Sequence, residues 1–151
     1  PSRFCYEYPR PAVTVDLVVF AMIDDQLRVL LIRRKHAPFE GCWAIPGGFL
    51  EIEEPLEDGA RRELKEETGL ELSGPIEQLG VFGKPGRDPR GRTISIAYVG
   101  LADPAHSQIQ GGDDAASAEW LAELAFDHAE ILAVGIAWYR KKRRRKPVPK
   151  K

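Results

Sequence analysis

Cysteine is scarce: Cys5 and Cys42 are the only two in 151 residues, with no CxxC spacing and no His/Cys cluster around either. That excludes a disulfide framework and argues against a zinc site, so a reducing, cytoplasmic setting is the expectation. Long apolar runs are missing too. "LVVFAMI" (17–23) is one of the longest, far below the roughly 20 residues that span a bilayer, and no signal-peptide pattern opens the chain. No internal repeat is visible. Basic residues are scarce over most of the length: the segment 140–151 holds nine of the 22, which leaves residues 1–139 with 13 basic against 23 acidic side chains, a net of −10. An acidic body repels anions at long range, so binding a phosphate would require a cation or locally placed arginines.

What is present is an ordinary globular composition, 43% hydrophobic and 30% charged, at a length suited to one domain with one core. We expect a single domain over 1–142 and a disordered basic tail over 143–151, since a run of Lys and Arg with Pro147 and Pro149 and no aromatic residue cannot pack into a core. Weak, salt-sensitive contact with nucleic acid or an acidic partner is the one binding role such a tail suggests. "AVTVDLVVFAMI" (12–23) and "QLRVLLIRR" (26–34) read as a hairpin turning at Asp24-Asp25. A Pro/Gly-rich loop with one short strand covers 35–48. Pro55, then Leu56, Ala60 and Leu64 at helical spacing, predicts a helix over about 55–68 that stops at Gly69. A second strand pair flanks the polar loop 83–91, and a short strand is expected near 115–124. Asp127 and Glu130 have capping-box spacing for a last helix running to about Lys141. Strands, helix, strands, helix is an α+β order that suits an α/β/α sandwich.

The first of those helices carries an anomaly. With Glu63 at 0° on a helical wheel, Glu66 falls at about −60° and Glu67 at about +40°, beside Leu56, Ala60 and Leu64, while Asp58, Arg61 and Lys65 lie opposite. A merely solvated charge run would sit away from the core. Glu63 and Glu67 also repel at i,i+4, by roughly 0.2–0.5 kcal/mol, and Glu66 and Glu67 oppose the helix dipole in the last turn. Arg62 can offset part of this. Two readings stand: the carboxylates hold a hard divalent cation such as Mg²⁺ or Mn²⁺, or they form a structural salt-bridge network.

The spacing then becomes specific. Gly48, Glu54 and "RELKEETGL" (62–70) meet every fixed position of G-x5-E-x7-R-E-U-x-E-E-x-G-U, where U is a bulky aliphatic residue. The chain therefore resembles the Nudix hydrolase family over residues 10–141. That resemblance implies a Nudix-type α/β/α sandwich with a mixed central β-sheet. It also implies metal-dependent hydrolysis of a nucleoside diphosphate linked to another moiety X. Gly48 through its carbonyl, with Glu63, Glu66 and Glu67, would hold Mg²⁺ or Mn²⁺. Glu66 or Glu67 would orient or deprotonate water, Arg62 would pin the glutamates, and Glu54 would support the site from the start of the helix. Glu51 matches a glutamate common at its position, whereas Glu53 departs from a frequent glycine.

"GKPGRDPRGRTISIAYVGL" (83–101), with "GDDAASAEWL" (112–121), is similar to the ADP-ribose pyrophosphatase branch, which makes ADP-ribose the expected substrate and AMP and ribose 5-phosphate the products. Arg87 and Arg90 would clamp the distal phosphate or ribose, and Phe82 or Phe39 would stack on the base, although solvated arginines and a core Phe82 are the plainer readings. Asp113 and Asp114 read chiefly as turn residues. His36, His106 and His128 suggest packing or capping rather than catalysis, and Trp43, Trp120 and Trp138 suggest core or interface. Family members also suggest a homodimer. Two rival functions remain: a nucleoside triphosphate pyrophosphohydrolase that clears the nucleotide pool, and a non-catalytic nucleotide sensor. The latter is disfavoured because about ten residues follow the last helix, too few for a DNA-binding domain.

Overall fold

The computed structural model describes residues 4–105, 115–117 and 124–145. Its centre is strand β1, Ala12–Ile23, buried without a break from Thr14 to Phe20. Such a continuous apolar run, rather than an alternating one, belongs to a strand covered on both faces. Val15, Leu17 and Val19 pack on one side with Ala60, Leu64 and Tyr98, while Val18 and Phe20 pack on the other with Ile131 and Leu132. The two cores place one helix on each face of the sheet, as the expected sandwich requires.

β1 turns at Asp24-Asp25, both at positive φ (50° and 60°), into β2, Gln26–Leu30. Such a primed two-residue turn follows the twist of its strands. The strand expected over 26–34 is divided. Beyond Leu30 the chain leaves the main sheet, and β3 (Ile32–Arg33) pairs instead with β4 (Trp43–Ala44). β5, Gly47–Phe49, returns to β1 antiparallel at Thr14–Asp16. β6 (Glu77–Phe82) and β7 (Thr93–Leu101) form the second pair, with a bulge between Gln78 and Gly80, and β7 runs parallel to β1 from Ala12 to Phe20. A three-residue β8, Ala115–Ser117, joins β2, giving a mixed sheet ordered β6-β7-β1-β2-β8 with β5 beside β1.

Helix α1 is Leu56–Thr68. Pro55 at its N-cap supplies an extended entry but no side-chain cap, and Gly69 closes it in the left-handed region (φ 73°), donating its N–H to the Lys65 carbonyl at 2.8 Å. The buried stripe is Gly59, Ala60, Leu64 and Thr68; Leu56, expected within it, is 37% exposed. Helix α2 is His128–Arg144, reaching two residues into the expected tail, of which 146–151 lie outside the described residues. Gly135 lets α2 ride close on the sheet, since a Cβ there would stand 3.3 Å from Val18 Cγ1. Trp138 Nε1 and Lys142 Nζ both donate to Glu77 of β6, at 2.7 and 2.9 Å, which ties the end of α2 to the sheet edge. The capping box is not made: Asp127 forms no side-chain cap, because its carboxylate is taken by Arg87. Both cysteines are free, and no helix among the described residues is long and apolar enough to cross a membrane.

Candidate active site

Two glycines bring the backbone of β5 against its neighbours, Gly47 against β1 and Gly48 against α1. A Cβ on Gly47 would fall 2.3 Å from Asp16 Oδ1, and one on Gly48 would fall 2.5 Å from Glu63 Oε1. Only glycine permits both approaches. The Gly47 N–H donates to Glu67 Oε1 at 3.0 Å, so β5 and the last turns of α1 meet at Glu63 and Glu67.

Arg62 organises the remaining carboxylates. Its Nε and Nη2 donate to Glu54 at 2.9 and 2.6 Å, its Nη1 to Glu63 at 2.9 Å and Glu66 at 3.2 Å, and its Nη2 also to the Phe49 carbonyl at 3.1 Å. Glu54 in turn accepts the Glu51 N–H at 2.9 Å. The hydrogen bonds from Arg62, then the one from Glu51, pull the Glu54 carboxyl down to about 2, and the Glu54 contact holds the Arg62 guanidinium all the more firmly protonated.

Glu67 lies outside this network. It is half-buried, and burial pushes its carboxyl up to about 8; the charges of Glu63 and Asp16 add to the rise, and the Gly47 N–H and Arg34 only partly oppose it. The salt-bridge reading of the sequence therefore accounts for Glu54, Glu63 and Glu66 but leaves Glu67 without an ion pair among the described residues. A hard divalent cation fits this donor set, which is all oxygen and short of positive charge at Glu67. Among the described residues no three acidic, His or Cys side chains converge as a preformed cage, and three of the four α1-site carboxylates are turned toward Arg62.

Two adjoining cavities flank the Gly47–Glu67 hydrogen bond. One, of about 200 Å³, is lined by Asp16, Gly47, Gly48, Phe49, Arg90 and Phe126 among others. The second, of about 350 Å³, is lined by Ile32, Arg33, Arg34, Lys35, His36, Glu66 and Glu67, and the two share Ile32 and Arg34. Arg87 and Arg90, expected to be free for substrate, are both engaged. Arg87, with its side chain 4% exposed, forms a two-pronged pair with Asp127 at 2.8 and 2.6 Å. Arg90, 42% exposed, holds Asp88 at 3.0 and 2.8 Å and lies over the rings of Phe49 and Phe126, at 5.0 and 5.6 Å from their centroids. Phe82 is not in the cleft: it packs against the core beneath α2, on the face opposite α1. The rings at the cleft are Phe49 and Phe126, and Phe39 meets Phe126 edge-on at 4.8 Å.

Sequence reasoning missed Asp16, Arg34, Phe49 and Phe126 as lining residues. Asp16 had a signal, a carboxylate inside the apolar run "VTVDLVV". It is buried, accepts the Ser95 hydroxyl, and stands 3.6 Å from His128 Nε2. His128 accepts the Ile45 N–H on Nδ1 at 3.1 Å, and burial lowers its pKa so that it stays neutral. It braces the strand leading into Gly47, in keeping with the packing role expected of it. Asp113, Asp114, His106 and Trp120 lie outside the described residues.

A family model described as the NUDIX domain matches residues 12–141. An ADP-ribose pyrophosphatase of Methanocaldococcus jannaschii is 43% identical over 136 residues, covering 87% of this chain and 76% of that protein. The ADPR responsive transcriptional repressor NtrR of Acinetobacter baylyi is 35% identical over 154 residues, covering 95% of this chain and 60% of the repressor. Among solved structures, the NUDIX domain of Shewanella oneidensis NrtR complexed with ADP ribose aligns with a TM-score of 0.75 at 34% identity, over 87% of this chain and 90% of that one.

Proposed function

The chain belongs to the NUDIX hydrolase family, and from that premise we propose that it cleaves ADP-ribose to AMP and ribose 5-phosphate with Mg²⁺, or Mn²⁺ in its place. The observation that carries this reading is Glu67, a half-buried carboxylate facing Glu63 and Asp16 beside a strand whose glycines let the backbone close on the Asp16 and Glu63 carboxylates. The relatives that hydrolyse or bind ADP-ribose support the choice of substrate.

In this mechanism the Gly48 carbonyl, Glu63, Glu66 and Glu67 would hold the ion, which when bound would supply charge neutralisation for the phosphoryl oxygens and lower the pKa of a water so that it can be deprotonated near neutral pH. Glu67 would have to lose its proton on loading, since its carboxyl sits at about 8 without a cation. Glu66, at the edge of the Arg62 fork, orients the water or accepts its proton. Arg62, held by Glu54, keeps Glu63 and Glu66 from splaying. Water oxygen bonds to one phosphorus as the bridging P–O bond breaks, and each product leaves with one phosphate. Arg90, over Phe49 and Phe126, contacts the substrate, while Arg87 acts through Asp127 at the start of α2. Phe82 has no place in this mechanism.

A product assay decides. With ADP-ribose and Mg²⁺, chromatography should show AMP and ribose 5-phosphate in equal amounts. A monophosphate and pyrophosphate from a triphosphate, with ADP-ribose untouched, would establish the rival pyrophosphohydrolase. The 35% identity to a repressor and the likeness to NrtR give a sensor reading specific support; tight ADP-ribose binding without turnover would favour it. We further propose a cytoplasmic homodimer with one catalytic domain over 1–142, to be checked by sedimentation.

A further inference from the structure

The two cavities differ in chemistry, and that difference fixes how a substrate lies across them. The cavity at Gly47 and Gly48 presents the rings of Phe49 and Phe126 with guanidinium groups beside them: Arg90 over both, and Arg34 over Phe126 at 4.9 Å. Flat π faces of this kind suit a nucleobase. The cavity at Glu66 and Glu67 has no Phe, Tyr or Trp in its lining but has Lys35 and His36 on its wall. Its two arginines are engaged, Arg33 with the Gly41 carbonyl at 2.9 Å and Arg34 with the Pro38 carbonyl at 2.7 Å. Lys35 and His36 are exposed and make no hydrogen bond or ion pair among the described residues. Arg87 is held by Asp127 and Arg90 by Asp88, whereas none of Arg33, Arg34 and Lys35 beside the glutamates has a carboxylate to release among the described residues, and Lys35 is the one of these three with no hydrogen bond to break either.

We propose that the Lys35–His36 cavity takes the sugar-phosphate half of a nucleoside diphosphate sugar, with Lys35 and His36 on its phosphoryl oxygens, while the Phe49–Phe126 cavity takes the nucleoside half. The Gly47–Glu67 hydrogen bond joins the walls of the two, so the diphosphate crosses at the carboxylates. This assignment rests on the proposed hydrolysis of such a substrate. It moves the distal contact from the 83–91 loop, where the sequence put it, to the β3–β4 connection. A lysine serves here as a point charge for phosphate.

The test measures binding of each product separately, by calorimetry in the presence of Mg²⁺, to the wild type and to Lys35→Glu, Lys35→Arg and Phe126→Leu. Lys35→Glu should weaken ribose 5-phosphate at least tenfold and AMP less than threefold; Lys35→Arg should restore most of the loss. Phe126→Leu should weaken AMP and spare ribose 5-phosphate. Lys35 is exposed, so unchanged melting of its variants is expected and is checked alongside. Equal losses for both products, an unaltered ribose 5-phosphate affinity in Lys35→Glu, or no ribose 5-phosphate binding to the wild type would each overturn the assignment. Its failure is separable from that of the proposed reaction. Turnover of ADP-ribose with no effect of Lys35→Glu sinks the cavity assignment alone, whereas the expected binding pattern without turnover sinks the reaction and leaves the cavity assignment standing.

Discussion

Replacing Glu67 with Gln should separate stability from activity, in a way that depends on pH. The amide oxygen can still accept the Gly47 N–H, so the perturbation is mainly the loss of a charge. The Glu67 carboxyl moves from an ordinary 4.5 to about 8, with burial as the first cause and the Glu63 and Asp16 charges next. A raised folded-state value means that the native protein holds a proton the unfolded chain has already released. Below pH 4.5 the carboxyl is neutral in both states, and rising pH then costs the wild type stability until it passes about 8. At ~1.4 kcal/mol per unit the full span approaches ~5 kcal/mol; partial exposure and relaxation bring the expectation to ~2–4 kcal/mol. Apo Glu67→Gln should thus match the wild type near pH 5 and exceed it by that amount at pH 9, read from urea melts at both values. Turnover should fall by at least ~10³, since a catalytic metal contributes several kcal/mol at the transition state. Mg²⁺ should raise the melting temperature of the wild type more than that of the variant, by mass action. A variant less stable than the wild type at pH 9, yet nearly as active per folded molecule, would refute the reasoning and make Glu67 scaffold.

Arg87→Ala should destabilise by ~3–5 kcal/mol, because it strands a carboxylate in a largely buried pair, and Arg87→Ala with Asp127→Ala should recover part of the loss in a double-mutant melt. Arg90→Ala should raise KM for ADP-ribose by one to two orders of magnitude, the worth of roughly 1.5–3 kcal/mol in a charged contact, and should also lower the melting temperature, because it strands the buried Asp88 carboxylate. Arg62→Lys should lower kcat strongly, since a point charge cannot serve Glu54, Glu63 and Glu66 together, and nitrogen-edge geometry rather than charge is what steady-state kinetics would expose. A chain ending at Arg145 should keep full turnover, whereas one ending at Lys141 loses the Lys142–Glu77 contact and should melt slightly earlier.

What the sequence revealed follows the range of the interaction concerned. α1 and its termination at Gly69 depend on neighbours within a few residues, and the observed Leu56–Thr68 lies within one residue of the expected span. The wheel placed Glu67 toward the core, and it is half-buried. The β1–β2 hairpin was legible because Asp24-Asp25 interrupts a continuous apolar run. The division after Leu30 was not, because "LIRR" continues the pattern while β3 changes partner to a strand ten residues further on. Arg87 and Arg90 looked available because a polar turn is usually solvated. Nothing local announces that Asp127, forty residues later, fills the fork of Arg87; the Asp88–Arg90 pair, two residues apart, lay within local reach and was overlooked. Phe82 packs in the core, its plainer reading, and its candidacy for base stacking fails because which face of β6 meets α2 is a property of the sheet order that the residue itself does not mark.

These pairings bear on how an acidic protein holds an anionic substrate. Residues 1–139 carry a net charge of −10, and three of the arginines that line or brace the cleft already face carboxylates, Arg62 with Glu54, Arg87 with Asp127 and Arg90 with Asp88, while Arg33 and Arg34 donate to the Gly41 and Pro38 carbonyls. A guanidinium held in a two-pronged pair offers an incoming phosphate only its remaining edge, and the partner carboxylate repels that phosphate at the same time. Arginine-mediated attraction is therefore weak before anything else binds. Under the proposed function the site would become attractive to a diphosphate once a divalent cation met Glu67 and its neighbours, because the ion would reverse the local sign of the field within a few ångströms, where screening is least effective. Arg62 would then keep Glu63 and Glu66 in place for that ion. Carboxylates that would weaken an anion site built from arginines alone are what a site built around a metal requires.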